Sequence, residues 1–260
     1  MSWLDLEGKR VVITGAAGGI GQSLARGFVE QGATVHLLDR DLAPLTTLAQ
    51  ELGDRALPVA CDISKPDDIA HAQIAVERDG PADILVNNAA ILRPGPLESV
   101  AEADWSAMLR INLTGYLLMS QAFGKAMLAR GQGALVHIAS IAGTQPQPLS
   151  GAYSASKAAT LMMSRQLAQE WGPRGVRSNC VSPGLVMTPL SAAFYADAAV
   201  KARREEMVPM NRIATPDDMT DATLFLASPR ASYITGQDIV VDGGLSQALM
   251  GLVPRPGFSA

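Results

Sequence analysis

The sequence predicts an α/β fold: a doubly wound, parallel, seven-stranded sheet with helices on both faces. Three observations carry this. Short β-branched runs alternate with longer helical patterns along the chain, a glycine-rich turn joins the first strand to the first helix, and no linker or charge run interrupts the series. With 260 residues, 48% of them hydrophobic, the chain can bury a large core within a single domain spanning 1–260.

The elements can be read off in order. Arg10 to Thr14 is a short β-branched run, followed by a glycine turn and a helix to about Gln31. Further strands are predicted near Thr34–Leu38, Ala56–Ala60, Ile84–Asn87, Ala134–Ala139, Val176–Val181 and Ile239–Val241, with room for a helical crossover between each pair. Gly32 and Gly53 follow the first two helices, Pro66 opens the third, and Pro173 and Gly175 close a long helix beginning near Ala152. The stretch from Ala192 to Glu206, rich in alanine and charge, reads as a helical excursion. It lies within a candidate substrate lid at about 187–212, and a tail follows at 247–260.

Composition excludes several classes of function. Twenty-one Lys and Arg against 25 Asp and Glu give a formal charge of −4, with no basic run to follow a phosphate backbone, so no nucleic-acid partner is expected. Two cysteines, Cys61 and Cys180, are too few for a disulfide framework and suit a reducing cytoplasm. Met1 to Glu7 shows no basic stretch leading into an apolar one, and no run of eighteen apolar residues occurs, so neither export nor membrane insertion is expected. His36, His71 and His137 are scattered without metal-ligand spacing, and no metal is expected.

The turn Thr14-Gly15-Ala16-Ala17-Gly18-Gly19-Ile20-Gly21 places backbone N–H groups at a helix N-terminus, where a pyrophosphate is stabilised. Alone it is weak evidence, because such turns also form simply to let helix and strand pack closely. Asp39 adds position. It ends the second strand, 20 residues after Gly19, where the ribose hydroxyls of a dinucleotide belong. A carboxylate there accepts from the ribose diol and repels a 2′-phosphate, so NAD is expected and NADP less so. Arg40 pulls the other way, since a guanidinium pairs with phosphate, but Ala17 supplies no second cation.

Tyr153 and Lys157 stand one turn apart at the start of the long helix, so their polar ends can converge. A phenol with a pKa of about 10 is a poor base near neutrality, and a nearby ammonium favours the phenolate. Such a pair is common on ordinary helices. Ser140, at the end of the preceding strand, supplies the context: open parallel sheets bind ligands at that edge, and a hydroxyl there can bind a substrate oxygen.

With these residues in order, the chain resembles the classical short-chain dehydrogenase/reductase family, of Rossmann type, over nearly its whole length. The resemblance rests on Thr14-Gly-x-x-x-Gly19-x-Gly21, Asp62 after the third strand, Asn87-Asn88-Ala89-Ala90 after the fourth, Asn112, Ser140, Tyr153-x-x-x-Lys157, and Pro183-Gly184 with Thr188 after the sixth. It implies that Tyr153 is the general acid/base, that Ser140 hydrogen-bonds the substrate oxygen, and that Lys157 binds the nicotinamide ribose and depresses the tyrosine pKa. Asn112 would hold a proton-relaying water where its helix is locally broken. Asp62 would meet the adenine amino group, with Ile63 beside the ring. Asn87 and Ala89 would border the adenosine, with Asn88 and Ala90 in the same cofactor-binding motif, and Pro183, Gly184, Val186 and Thr188 would enclose the nicotinamide. Ala90 stands where the family usually has glycine, so that position must tolerate a Cβ.

The activity implied is NAD-dependent interconversion of a secondary alcohol and a ketone, with polyols or sugars, hydroxyacids and cyclic alcohols all open. Two alternatives stand beside it: an NADPH-dependent reductase of the 3-oxoacyl carrier-protein type, and a non-catalytic dinucleotide-binding sensor or scaffold. The substrate pocket is expected from Ala142 to Leu149, Asn88 to Pro96 and Met187 to Met210, with Arg93, Gln145 and Gln147 as polar contacts. The helix from Ala152 to about Trp171 is apolar on more than one face, and the resemblance implies a homotetramer. Leu252, Val253 and Phe258 of the tail are expected to dock on a neighbouring subunit near its pocket.

Overall fold

A computed structural model describes residues 3–78, 80–189, 191–253 and 257. Its strands are β1 (Arg10–Thr14), β2 (Thr34–Asp39), β3 (Ala56–Ala60), β4 (Ile84–Asn87), β5 (Gly133–Ile138), β6 (Val176–Pro183) and β7 (Asp238–Val241). They form one sheet in the order β3-β2-β1-β4-β5-β6-β7, every pairing parallel. The predicted doubly wound sheet is therefore present. Because all strands point the same way, their carboxyl ends share one edge, and the order reverses between β1 and β4, the switch point at which such sheets open a crevice.

The helices are α1 (Gly19–Glu30), α2 (Leu42–Leu52), α3 (Pro66–Glu77), α4 (Glu102–Leu109), α5 (Tyr116–Arg130), α6 (Tyr153–Trp171), α7 (Ala198–Met207) and α8 (Pro216–Ala227). Alternation along each strand divides the core between the two faces. Val11, Ile13, Leu37, Ile84 and Val86 pack with Leu24 and Phe28 of α1, Leu45 of α2 and Met219 and Leu224 of α8. Val12, Leu38, Leu85 and Leu135 turn the other way, onto Ile69 of α3, Phe123 and Met127 of α5 and Leu167 of α6.

Three local features position the site. Between α4 and α5 the helix widens into a π-turn over Arg110–Gly115, so the break predicted around Asn112 is present. The excursion after β6 is a short 3-10 turn, Ala192–Tyr195, followed by α7, which Asp197 caps by accepting from the N–H groups of Ala199 and Val200. Beyond β7 a 3-10 stretch, Leu245–Leu252, leads into the tail. Val253 is exposed; Phe258, on which the docking expectation also depends, lies outside the described residues. Among the described residues no helix is long and apolar enough to cross a membrane.

Candidate active site

A cleft of about 960 Å³ runs along the carboxyl edge of the sheet. One end is bordered by Asp39, Arg40, Asp62 and Ile63, its middle by Gly15, Gly18, Gly19, Ile20 and Asn88 to Leu92, and its other end by Ser140, Tyr153, Lys157, Pro183, Gly184, Val186 and Thr188. Residues that the sequence marks at scattered positions thus line one cleft.

The glycine turn is shaped for an anion. Gly18 caps α1 without a side-chain bond, and no acidic residue occupies the first turn, so the exposed N–H groups and the positive end of the helix face the cleft. Gly15 has φ +66°, and a Cβ there would lie 2.7 Å from the Ala89 Cα; β1 and the loop after β4 meet backbone to backbone. Asn88 fastens this approach, donating from Nδ2 to the carbonyls of Thr14 and Gly15 at 3.0 Å each. The Thr14 hydroxyl accepts from the N–H groups of Asn88 and Ala89 at 2.9 and 3.1 Å. Gly21 differs from its neighbours. It is absent from the cleft wall, and its missing Cβ makes room for the Gly15 carbonyl, so it closes the turn on itself.

Asp39 borders the first end of the cleft and also steadies it. Its Oδ2 accepts from the Ala17 N–H at 3.2 Å, and its Oδ1 from the Arg40 N–H at 2.8 Å. The Arg40 guanidinium leans toward Asp41, 3.7 Å away, and stands largely in solvent. Burial alone would raise the Asp62 carboxyl, but the Ser64 hydroxyl and N–H, with Lys65 and Arg40, outweigh it and hold it below the usual carboxylate value. Ala90 lines the cleft and is absent from the positive-φ residues, so its Cβ is accommodated without strain.

At the other end, α6 begins on Tyr153, which places the phenol against β5. The Tyr153 hydroxyl hydrogen-bonds Ser140, whose oxygen also accepts from the Ala142 N–H at 3.1 Å. Lys157 is buried, donates from Nζ to the Ile138 carbonyl at 2.7 Å, and lies 5.8 Å from the Tyr153 ring centroid. The electrostatics of the chain alone differ from expectation. Burial raises the Tyr153 pKa and the Ser140 bond lowers it only in part. Burial likewise pulls Lys157 down to about 7. Desolvation acts against both charged forms at once, so the ammonium does not by itself bring the phenol down.

Asn112 stands behind the cleft wall. Its Oδ1 accepts from the Ile91 N–H and its Nδ2 donates to the Ile91 carbonyl, both at 2.9 Å, with a further bond to Ser156 at 3.1 Å. It therefore holds the loop after β4 against α6. Its own carbonyl accepts from the Thr160 hydroxyl at 3.1 Å.

Two expectations are corrected. Asn87 does not border the adenosine: it is fully buried, and its Nδ2 bonds the Tyr116 carbonyl, Ser120 and His137, because as the last residue of β4 its side chain alternates inward. Arg93 is not a cleft contact; its guanidinium pairs with Asp104 of α4 at 2.5 Å. Within the expected Met187 to Met210 segment, the cleft recruits Phe194, Tyr195 and Arg204, which the sequence does not single out individually. Among the described residues no three His, Cys, Asp or Glu side chains gather as a metal site.

Known proteins are similar to the chain over nearly its whole length. A family model described as enoyl-(acyl carrier protein) reductase matches residues 15–246. The chain is 39% identical over 243 residues to galactitol 2-dehydrogenase (L-tagatose-forming) of Cereibacter sphaeroides, covering 92% of this chain and 95% of that one. It is 41% identical over 243 residues to D-threitol dehydrogenase of Mycolicibacterium smegmatis, covering 92% and 93%. A crystal structure of gluconate 5-dehydrogenase from Burkholderia cenocepacia, in complex with NADP and tartrate, is similar at a TM-score of 0.89 and 35% identity, over 93% of this chain and 96% of that one.

The chain belongs to the classical short-chain dehydrogenase/reductase family. Within that family it is an oxidoreductase of the alcohol–carbonyl type.

Proposed function

We propose that the protein oxidises a secondary hydroxyl of a polyhydroxylated or hydroxyacid substrate to a ketone, reversibly and with NAD. The observation that carries this is that the glycine turn, Asp39, Ser140, Tyr153 and Lys157 line one cleft. The polyol relatives support the substrate class. Asp39 supports NAD, because a carboxylate beside the ribose repels a 2′-phosphate while Arg40 is engaged with Asp41.

The residues fit a dinucleotide: open N–H groups at α1 for the pyrophosphate, Asp39 for the ribose diol, Asp62 and Ile63 for the adenine, and Pro183, Gly184, Val186 and Thr188 for the nicotinamide end. When bound, the nicotinamide supplies the hydride acceptor or donor. Ser140 holds the substrate oxygen. Tyr153 removes the hydroxyl proton in oxidation and returns it in reduction, and Lys157 donates to the floor beside it, cationic below its lowered pKa of about 7. Asn112 fixes the loop that closes the site and, at the π-turn, provides the place for a relaying water. The segment 187–212 acts as a lid over the substrate end. A panel of alcohols assayed with NAD and NADP by the absorbance of the reduced nicotinamide tests this reading; turnover with NADP alone would contradict it.

We propose a cytoplasmic location, a reading supported by its two buried free cysteines. We further propose a homotetramer, because Leu117 of α5, Met162 of α6 and Ile239 and Val240 of β7 are exposed apolar side chains on three elements. Sedimentation velocity should give a mass of four chains; a monomer at micromolar concentration would refute it.

A further inference from the structure

The substrate end of the cleft holds a cation that the proton chemistry does not use. Arg204 of α7 lines the cleft together with Ser140 and Tyr153. Its guanidinium lies 5.3 Å from the ring centroids of both Phe194 and Tyr195, and it is within hydrogen-bonding reach of the Tyr195 hydroxyl. Two aromatic faces hold a planar guanidinium in place without neutralising it. The charges nearby on α7 are already matched: Lys201 with Glu205, and Arg203 with Glu206. Among the described residues no carboxylate forms an ion pair with Arg204, and the carboxylates of the cleft wall, Asp39 and Asp62, belong to its opposite, adenosine end.

A neutral alcohol gives such an arrangement nothing to pair with. A carboxylate does: it accepts two parallel N–H bonds from the guanidinium fork in a partly desolvated site. Gln145 and Gln147, which also line the cleft, can then satisfy hydroxyl groups between the anion and the reacting carbon.

We propose that Arg204 is a specificity-determining residue that selects a substrate bearing a carboxylate remote from the carbon that is oxidised, so that the substrate class is a hydroxy acid rather than a neutral alditol. This rests on the functional reading given above, but the test does not depend on turnover.

Calorimetric binding to the NADH-loaded, full-length Tyr153→Phe protein, at low and high salt, would compare threonate with threitol, which match in carbon number. The acid should bind about tenfold tighter or more, and the margin should shrink with salt. Arg204→Met should abolish the preference, Arg204→Lys should retain part of it, and NADH affinity should be unchanged in both. Equal or tighter binding of threitol, or an acid preference that survives Arg204→Met, overturns the proposal. An NADH affinity that falls with Arg204→Met also overturns it, by assigning the guanidinium to the cofactor. Failure of the underlying functional reading would show separately, as turnover that persists in Tyr153→Phe.

Discussion

The Asp39 carboxylate accepts a hydrogen bond from the main-chain N–H of Ala17 at 3.2 Å, tying the end of β2 to the glycine turn after β1. One side chain thus shapes the glycine turn and lines the end of the cleft proposed for the adenosine ribose. Asp39→Ala should lower kcat/KM with NAD by about tenfold or more, since a charge-assisted pair to the ribose diol is lost, and should raise the NADP-to-NAD ratio of kcat/KM by a similar factor. Steady-state kinetics with both cofactors reads this directly; an unchanged ratio would remove Asp39 as the discriminator.

Proton transfer sets a pH dependence whose sign follows from burial. Burial raises the Tyr153 pKa, so the phenol is protonated near neutrality, and Lys157, drawn down to about 7, loses its charge as pH passes that value. In the proposed mechanism oxidation uses the deprotonated phenol as base, so its kcat/KM should climb with pH, while reduction uses the protonated form and should fall at high pH. Initial rates in both directions check this. An oxidation profile flat from pH 6 to 10 would be inconsistent with Tyr153 as the base.

Gly21 offers a test of architecture separable from chemistry. A Cβ there would fall inside contact distance of the Gly15 carbonyl oxygen, a backbone atom that cannot give way without reshaping the turn. Gly21→Ala should therefore cost about 1–3 kcal/mol of stability. Gly18→Ala, whose added Cβ would lie 3.4 Å from the same oxygen, should cost much less. Denaturant unfolding of the two variants ranks them; equal stabilities would mean that the turn is not packed as described.

Most of the fold was legible because its strands are buried on both faces. Runs such as Val11-Val12-Ile13 and Ile84-Leu85-Val86 have no solvated alternative, and the lengths between them admit only helical crossovers. Ends moved by a residue or two: β6 continues to Pro183 and β7 begins at Asp238, since main-chain pairing extends beyond the apolar run. The site was legible where chemistry depends on spacing, as for Tyr153 and Lys157. Side-chain direction was not. Asn87 and Asn88 are adjacent and alike in type, yet one turns into the core and the other clamps the glycine turn, a difference set by strand alternation at the last paired residue. Arg204 was hidden for another reason: its partners, Phe194 and Tyr195, lie in a separate 3-10 turn nine and ten residues upstream, so no single helical face reveals them.

The central claim is that the Tyr153 hydroxyl moves the proton that accompanies hydride transfer. Turnover by Tyr153→Phe, measured with NAD and an alcohol the wild type accepts, alongside NADH binding by fluorescence, tests it most directly. The variant should lose on the order of 10²- to 10⁴-fold in kcat while its NADH affinity stays within about twofold of wild type. A kcat within a few-fold of wild type, with cofactor bound normally, would contradict the account.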